Sequence, residues 1–149
     1  MKLFGARAVE SMRLEKGYLH WKADILTEFD PFETGLDRFV KMDKDFLGKE
    51  VLEQRRMYGP MRKLVTLALD THEAPAHPGA SVMLGGKVVG TVTSGDWGHR
   101  VGKNLAYAFV QPELAEVGSK MSVDLLGTDV PAEVVERCLY DPENKLVRF

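Results

Sequence analysis

Residues 85–110 read GGKVVGTVTSGDWGHRVGKNLAYAFV, and the fold follows from this stretch. Its two leading glycines, Gly85 and Gly86, stand between the apolar runs 81–84 and 87–93. Adjacent glycines can adopt the positive φ angles that a two-residue hairpin turn requires. The pattern therefore predicts a β-hairpin that turns at these two glycines.

The stretch continues through residues 94–104, which mix small, aromatic and basic side chains, into a third apolar run at 105–110. We predict a long loop over 94–104 and then a strand. Two interpretations of the loop stay open, because loops are polar whether they bind a ligand or only face solvent.

Further short apolar segments follow at similar spacing. Residues 63–69 are rich in β-branched side chains, and residues 121–125 and 130–137 alternate apolar with polar positions. A last short strand is predicted over 146–149. About six short strands at roughly ten-residue spacing favour a small antiparallel Greek-key barrel. The expected fold class is α+β, mainly β.

The N-terminal part has a different pattern. Residues 3–15 are predicted to form a helix with Phe4, Ala8 and Met12 on its apolar face. An aromatic-rich loop follows over residues 18–35. A loop of this length inside a compact domain is often functional, although its aromatic side chains can also simply anchor it to the core.

Two more elements are predicted before the strands begin. Residues 36–42 have the composition of a short strand, and residues 48–56 that of a helix. The apolar face expected for this helix consists of Leu47, Val51 and Leu52.

The dipeptide Gly59-Pro60 interrupts the chain and divides it into two regions. We expect residues 1–58 to form a helix, an aromatic loop and a second helix, and residues 59–149 to form the barrel. The whole chain has 149 residues and a mass of 16.7 kDa, the size of one domain or of one domain with a short appendage.

The charge balance and the cysteine count exclude several classes of protein. Twenty basic and 22 acidic residues give a formal net charge of −2, so no basic surface is expected for nucleic acid or an anionic membrane, and we expect neither as a partner. Cys138 stands alone, which excludes an intrachain disulfide and a cysteine zinc site. A single cysteine favours a reducing compartment, and we expect a cytoplasmic location.

Two groups of polar residues invite a chemical interpretation. His72, Glu73 and His77 share one loop, but they lack the spacing of a metal motif, and we expect no metal there. The aromatic loop also contains several carboxylates that can serve in acid–base chemistry or simply face solvent. These carboxylates are Asp24, Glu28, Asp30 and Glu33.

The charges at the end of the first helix are a third candidate. Arg13 and Glu15 stand there shortly before Trp21, so a cation, a carboxylate and a ring can converge on a flat polar ligand. An ordinary surface ion pair explains the same spacing. Residue pattern by itself leaves the function open.

Seven segments carry a resemblance to a known family: SMRLEKGY (11–18), PFETGL (31–36), FVK (39–41), DFLGK (45–49), GTVTSG (90–95), KNLAYAFV (103–110) and PA (131–132). They resemble the aminomethyltransferase family, which includes the T-protein of the glycine cleavage system. The family also includes the folate-binding halves of dimethylglycine and sarcosine dehydrogenases. The residues of these segments resemble the dehydrogenase branch more than the T-protein itself. The resemblance covers essentially the whole chain.

The resemblance implies a tetrahydrofolate-dependent one-carbon transferase with the family's C-terminal β-barrel. It implies tetrahydrofolate as the cofactor, and FAD only where a separate dehydrogenase domain is present. The family's catalytic aspartate and pterin-binding glutamate lie in an N-terminal part for which this sequence has no counterpart. We therefore expect a truncated gene product or one piece of a split enzyme, which is not catalytic alone.

The same resemblance suggests what the chain associates with. The expected partner is the missing N-terminal portion, or else a second copy of the chain bound through the first helix. The alternative function is a non-catalytic β-barrel docking module. The feature that distinguishes the two is Phe4, Ala8 and Met12: where the N-terminal portion is missing, an isolated chain is expected to expose them, to dimerise through them or to bind its other half.

The family's motifs also imply site residues. Arg13 matches an arginine that lines the folate site, where a guanidinium can fork onto a carboxylate or stack on a ring. Trp21 stands where the family usually has tyrosine and offers a larger stacking face. Glu33 is a weaker candidate. Further candidates, at the mouth of the pocket, are Ser94, Trp97, His99 and Lys103.

Overall fold

Six antiparallel strands close into a barrel, which confirms the predicted fold class. The structure is a computed structural model and describes residues 3–146 and 148. In space the strands follow the order β1-β4-β3-β2-β5-β6, and β6 pairs with β1 to complete the barrel. The strands are β1 (Lys63–Leu69), β2 (Ser81–Leu84), β3 (Lys87–Gly98), β4 (Lys103–Val110), β5 (Lys120–Leu125) and β6 (Thr128–Val135).

The hairpin predicted at the two glycines is present. Leu84 pairs with Lys87 across the turn, and Gly85 and Gly86 have φ angles of +56° and +76°. Residues other than glycine rarely adopt positive φ angles at two successive positions. The glycine pair therefore fixes the turn and with it the register of β2 against β3.

The long loop predicted over residues 94–104 is wrong. Strand β3 continues to Gly98 and β4 begins at Lys103, so only a four-residue turn joins them. The polar residues Ser94 and Asp96 are buried in the strand because a helix and a loop cover its outer face. A β-bulge between Val92 and Ser94 changes the register there.

The barrel interior is filled by alternate residues of all six strands. Val65, Leu67 and Leu69 of β1 point inward, and the alternate residues Leu64, Thr66 and Ala68 lie on the outer face. This period-two pattern is why β1, β5 and β6 were readable from the sequence. The predicted strand over 146–149 falls partly outside the described residues, and Leu146 lies in a turn.

Helix α1 (Ala6–Lys16) lies on the outside of β3 and β4 and leaves Phe4, Ala8 and Met12 exposed, as expected for an isolated chain. Ser11, Leu14 and Glu15 are buried against the barrel, whereas Phe4 and Met12 are 70% and 50% exposed. The helix uses a mostly polar face because the surface beneath it offers backbone groups of β3 and its turn as hydrogen-bond partners.

The segment between α1 and β1 has one further helix, α2 (Lys49–Tyr58), none of whose residues is buried. The strand predicted at 36–42 is wrong: this segment contains a 3₁₀ turn at Asp37–Phe39. The closed barrel offers no free edge for a seventh strand to pair with. The aromatic loop is anchored by Phe29, whose ring stacks on Phe109 at 3.7 Å between centroids.

Candidate functional site

The centre of the candidate site is Asp24, a carboxylate with no exposed surface. Its Oδ2 accepts hydrogen bonds from Arg13 Nη1 at 2.6 Å and from the backbone N–H of His20 at 2.9 Å. Its Oδ1 accepts from the hydroxyls of Thr93, at 2.6 Å, and Ser94. Asp24 therefore joins α1, the aromatic loop and β3 at one point.

The β-bulge in β3 explains how two successive residues reach the same carboxylate. In a regular strand Thr93 and Ser94 would point to opposite faces, but the extra residue of a bulge re-aims one side chain. Both hydroxyls then face Asp24. Thr93 is thus part of the site, although sequence reasoning did not select it.

Arg13 is 8% exposed; its Nε and Nη1 have hydrogen-bond acceptors, whereas its buried Nη2 has an ion-pair contact but no hydrogen bond. Nη1 bonds to Asp24 and, at 3.3 Å, to the carbonyl of Tyr18. Nε donates to Glu10 Oε2 at 2.8 Å, and Nη2 forms an ion-pair contact of 2.6 Å with the same oxygen. The guanidinium lies over the ring of Tyr107, 5.6 Å from its centroid. Arg13 is a fixed part of the interior.

Tyr107 lies against the guanidinium of Arg13 and also bonds to the end of α1. Burial raises the pKa of its phenol, and the nearby Arg13 charge only partly opposes this rise. The neutral hydroxyl donates to the carbonyls of Arg13 and Leu14, both at 3.4 Å. These bonds fix the last turn of α1 on β4.

Trp21 lies on the loop that Asp24 holds, and its side chain is 61% exposed. The carbonyl of His20 accepts hydrogen bonds from the backbone N–H groups of residues 23, 24 and 25. Trp21 also forms an isolated bridge with Ile25. A large ring is thereby presented to solvent on a short, hydrogen-bonded loop.

Glu33 is buried at a different place and serves as a local cap. Its Oε2 accepts from the N–H of Asp30 at 3.1 Å, and its Oε1 accepts from the N–H of Arg62 at 3.2 Å. The interpretation of the loop carboxylates as solvated is therefore wrong for Asp24 and Glu33, because both are buried acceptors.

The four candidate site residues on the β3–β4 hairpin do not lie in one place. Ser94 joins the Asp24 cluster, and His99 is exposed in the turn. Trp97 and Lys103 border a 500 Å³ cavity at one end of the barrel, where the Trp97 ring lies 4.9 Å from that of His72. The structure brings together Arg13 and Ser94, with Trp21 on the adjoining loop, and places Glu33 and the other hairpin residues elsewhere.

Glu15 is also not where the sequence suggested. Its side chain is 2% exposed, and Oε1 accepts hydrogen bonds from the backbone N–H groups of Arg100, at 2.5 Å, and Val101, at 3.0 Å. It caps the β3–β4 turn and forms no ion pair with Arg13. The spacing of Ser11 and Glu15 around the apolar Leu14 was the available signal for this polar buried face.

Within residues 3–146 and 148, no three histidine, cysteine, aspartate or glutamate side chains are grouped so that they could hold a metal ion. In the same part of the chain, no helix has both the length and the apolar character needed to cross a membrane.

The closed six-stranded antiparallel barrel is of the C-terminal barrel class found in aminomethyltransferases. Residues 62–141 match the family model described as the glycine cleavage T-protein C-terminal barrel domain, and residues 1–44 match that of the GCVT N-terminal domain. The chain belongs to the glycine cleavage T-protein family.

Named relatives support this assignment. The chain is 40% identical over 148 residues to the mitochondrial dimethylglycine dehydrogenase of Rattus norvegicus, covering 98% of this chain and 17% of the relative. It is 38% identical over 143 residues to the aminomethyltransferase of Nostoc sp. (strain PCC 7120 / SAG 25.82 / UTEX 2576), covering 95% of this chain and 38% of the relative.

A solved structure shows the same fold. The glycine cleavage system aminomethyltransferase T from Bartonella henselae superposes with a TM-score of 0.81 at 27% identity, over 87% of this chain and 37% of that protein. The chain thus spans well under half the length of the proteins that it matches.

Proposed function

We propose that this chain forms one wall of a tetrahydrofolate site in a one-carbon transfer protein. Its relatives are named as aminomethyltransferases and dimethylglycine dehydrogenases, and the resemblance of its motifs implies tetrahydrofolate as the one-carbon acceptor. The single observation that carries the proposal is Trp21, an exposed ring on a loop that the buried Arg13–Asp24 pair holds in place.

Trp21 supplies a stacking face for a flat ring such as a pterin or a benzoyl group. The loop is already ordered by the bonds to Asp24 and to the His20 carbonyl, so little conformational freedom is lost when a ligand binds. Preorganisation of this kind favours ligand affinity at a surface that is otherwise open.

Arg13 is proposed to act mainly by positioning the loop. Asp24 and the Tyr18 carbonyl hold one side of the guanidinium, and Tyr107 covers one face. Glu10 is the exposed partner, with 37% of its side chain accessible, so the Glu10 side of Arg13 is the part that a ligand can approach.

We further propose that the rest of a T-protein N-terminal domain covers the outer face of α1. The model of that domain matches residues 1–44 of this chain, and this segment contains α1. Val9 and Met12 of α1 are exposed, and so are Leu3 and Phe4 just before the helix; each of the four is at least 45% exposed. The catalytic aspartate and pterin-binding glutamate that the resemblance implies would come with that domain, and no turnover is expected from this chain alone.

A non-catalytic docking module is the second candidate. The observation that favours it is the same exposed apolar face, since an apolar surface of this kind can serve protein association without any folate site. Folate binding distinguishes the two candidate functions, because a docking module does not need the Trp21 ring to bind folate.

The test is calorimetric titration of tetrahydrofolate into the 149-residue chain, alone and with a T-protein N-terminal domain added. Trp21→Ala is expected to weaken binding about tenfold, which corresponds to about 1.4 kcal/mol of stacking energy. Arg13→Ala is expected to weaken it through disorder of the loop. Tyr58→Ala, which removes an 82% exposed ring on α2, is the matched control and should bind normally.

Two results would contradict the proposal. One is the absence of tetrahydrofolate binding both without and with the added domain. The other is unchanged affinity in Trp21→Ala, which would leave the docking module as the better account.

A further inference from the structure

Helix α2 has little support from the rest of the chain. None of its ten residues is buried, and it does not pack against a strand in the way that α1 packs against β3 and β4. A helix of this length is only marginally stable alone in water, because most helical stability in proteins comes from the packing of an apolar face. A further contact along α2 would therefore stabilise it.

One side of α2 faces the rest of the chain. Lys49 and Leu52 are partly covered, and Arg56 lines a cavity together with residues of the aromatic loop and β1. Because these three residues follow one another at spacings of three and four, they lie on one side of the helix. The opposite side is turned away from the barrel and is open to a second protein.

The open side of α2 carries a row of residues spaced alternately by four and three, which we call the α2 seam. It consists of Val51, Gln54 and Tyr58 in the helix and of Leu47 in the turn before it. Leu47 is fully exposed, and Val51 and Tyr58 are 58% and 82% exposed. Side chains at this spacing interlock when two helices pack side by side.

Two opposite charges flank the α2 seam. Glu50 stands immediately before Val51, and Arg55 stands immediately after Gln54, on the other side of the seam. In a pair of parallel helices, these are the flanking positions that meet across the contact, so Glu50 of one copy faces Arg55 of the other. A two-fold axis makes this ion pair twice. Neither side chain has an ion-pair partner among residues 3–146 and 148.

Gln54 lies at the centre of the α2 seam, between its two apolar helical residues. In a two-fold pair the two Gln54 amides face each other, and each amide has both a hydrogen-bond donor and an acceptor. A polar residue at one position of such a seam specifies the register and the number of helices, at some cost in stability. The amide therefore favours one alignment of the two helices over its alternatives.

We propose that a second copy of this chain docks on α2, with the two α2 helices parallel and packed through the α2 seam. A second copy is favoured because, in this orientation, the charges of the helix are complementary to themselves. The two barrels do not collide, since each lies on the side of its helix that faces away from the seam. The two family models match residues 1–44 and 62–141, so α2 lies outside both.

The interface is small, because a ten-residue helix is only about 15 Å long. Contacts of this size belong to the weak and transient class, and we expect a dissociation constant of about 10–100 µM. The dimer should therefore be visible at high protein concentration and absent at low concentration.

The test is sedimentation equilibrium of the 149-residue chain at about 5–500 µM, a range that brackets the expected dissociation constant. Val51→Glu should weaken the dimer at least about tenfold, because it places a charge in the seam. Glu50→Lys and Arg55→Glu each bring like charges together across the seam, and each should weaken it as much. Glu53→Lys, a charge reversal of α2 outside the seam and its flanking positions, is the matched control and should dimerise normally.

A mixture of the Glu50→Lys and Arg55→Glu chains is the decisive sample. In a mixed pair every flanking contact again joins opposite charges, so association should return to the strength of the unaltered chain. All of these substitutions are at exposed positions, and the folded barrel is expected to tolerate them.

Four results would overturn the inference. They are a chain that stays monomeric over the whole range, a dimer that Val51→Glu leaves intact, a mixture that does not associate, and a dimer that Met12→Lys dissociates, which would place the second copy on α1. None of these measurements involves folate, so the inference and the proposed function fail separately.

Discussion

At Asp24, four donors from three parts of the chain meet one buried carboxylate. Asp24→Asn keeps the shape of the side chain but removes the charge that balances Arg13, and it turns one acceptor into a donor. Removing one partner of a buried pair leaves the other charge uncompensated, so we expect a loss of about 3 kcal/mol in the free energy of unfolding. Urea denaturation measures this loss in the free energy of unfolding.

The matched control for Asp24→Asn is Asp45→Asn, because Asp45 is exposed and its ion pair with Lys49 lies on the surface. This control should change stability by less than about 0.5 kcal/mol. A loss below about 1 kcal/mol in Asp24→Asn would mean that the Arg13 charge is solvated after all, and the buried network would not support the Trp21 loop.

A pH dependence is expected at Asp141. Burial by itself raises the pKa of this carboxyl, but hydrogen bonds from the N–H groups of Lys145 and Leu146 and from the Lys16 ammonium outweigh burial and lower the pKa below its usual value. A carboxyl with a lowered pKa in the folded state contributes stability above about pH 4, and the contribution is lost as the pH falls through the folded pKa.

Asp141→Asn should therefore make the decrease of stability below about pH 4 less steep, while Asp129→Asn, at an exposed position of β6, should leave it unchanged. Thermal unfolding between pH 2 and pH 6, taken as the working range, is the measurement. Identical acid profiles for the unaltered chain and Asp141→Asn would contradict the assignment.

Among the elements, α1 is unusual in packing through a carboxylate. Glu15 accepts from the N–H groups of Arg100 and Val101 and thereby fixes the β3–β4 turn beneath the helix. Glu15→Ala removes this acceptor, and we expect amide hydrogen exchange at both positions to become at least about tenfold faster, since a charge-assisted bond contributes about 1.5–3 kcal/mol.

Glu15→Gln is the informative control, because the amide keeps an oxygen in the same place. Exchange at Arg100 and Val101 should then rise less than in the alanine variant. Unchanged exchange in Glu15→Ala would show that the turn is closed by its own backbone bond from Gly102 to Gly98, without help from α1.

The elements also differ in how far the sequence determined them. Strand β1 and the hairpin at Gly85 were predictable, because period-two alternation and a glycine pair are local signals. The extension of β3 through Ser94 and Asp96 was not, since these polar residues are buried only by tertiary contact with Asp24 and α1. A strand whose outer face is covered by polar groups has no apolar pattern to read.

The same reasoning applies to the site. Arg13 and Trp21 were selected through the resemblance; the structure pairs Arg13 with Asp24 and places Trp21 on the loop that Asp24 holds. Asp24 was considered only as one of four loop carboxylates, because its buried hydrogen bonds depend on the β-bulge next to Thr93, for which the sequence has no local signal.

For the whole molecule, the most consequential feature is the apolar outer face of α1. Val9 and Met12 on this face are 45% and 50% exposed, and Phe4 just before the helix is 70% exposed, whereas the inner face of α1 forms polar bonds to the barrel. We expect the N-terminal domain of the Nostoc aminomethyltransferase, produced separately, to bind this chain. Met12→Lys should weaken that association at least tenfold, because it places a charge in an apolar contact.

Sedimentation velocity of the mixture and of each component is the measurement. Met57→Lys, at a 72% exposed position on α2, is the control and should associate normally. A dimer of the chain alone that Met12→Lys dissociates would mean that a second copy covers α1 in place of the domain. A chain that stays monomeric and does not bind the added domain would contradict the proposed partner, since the exposed apolar face would then mediate no association.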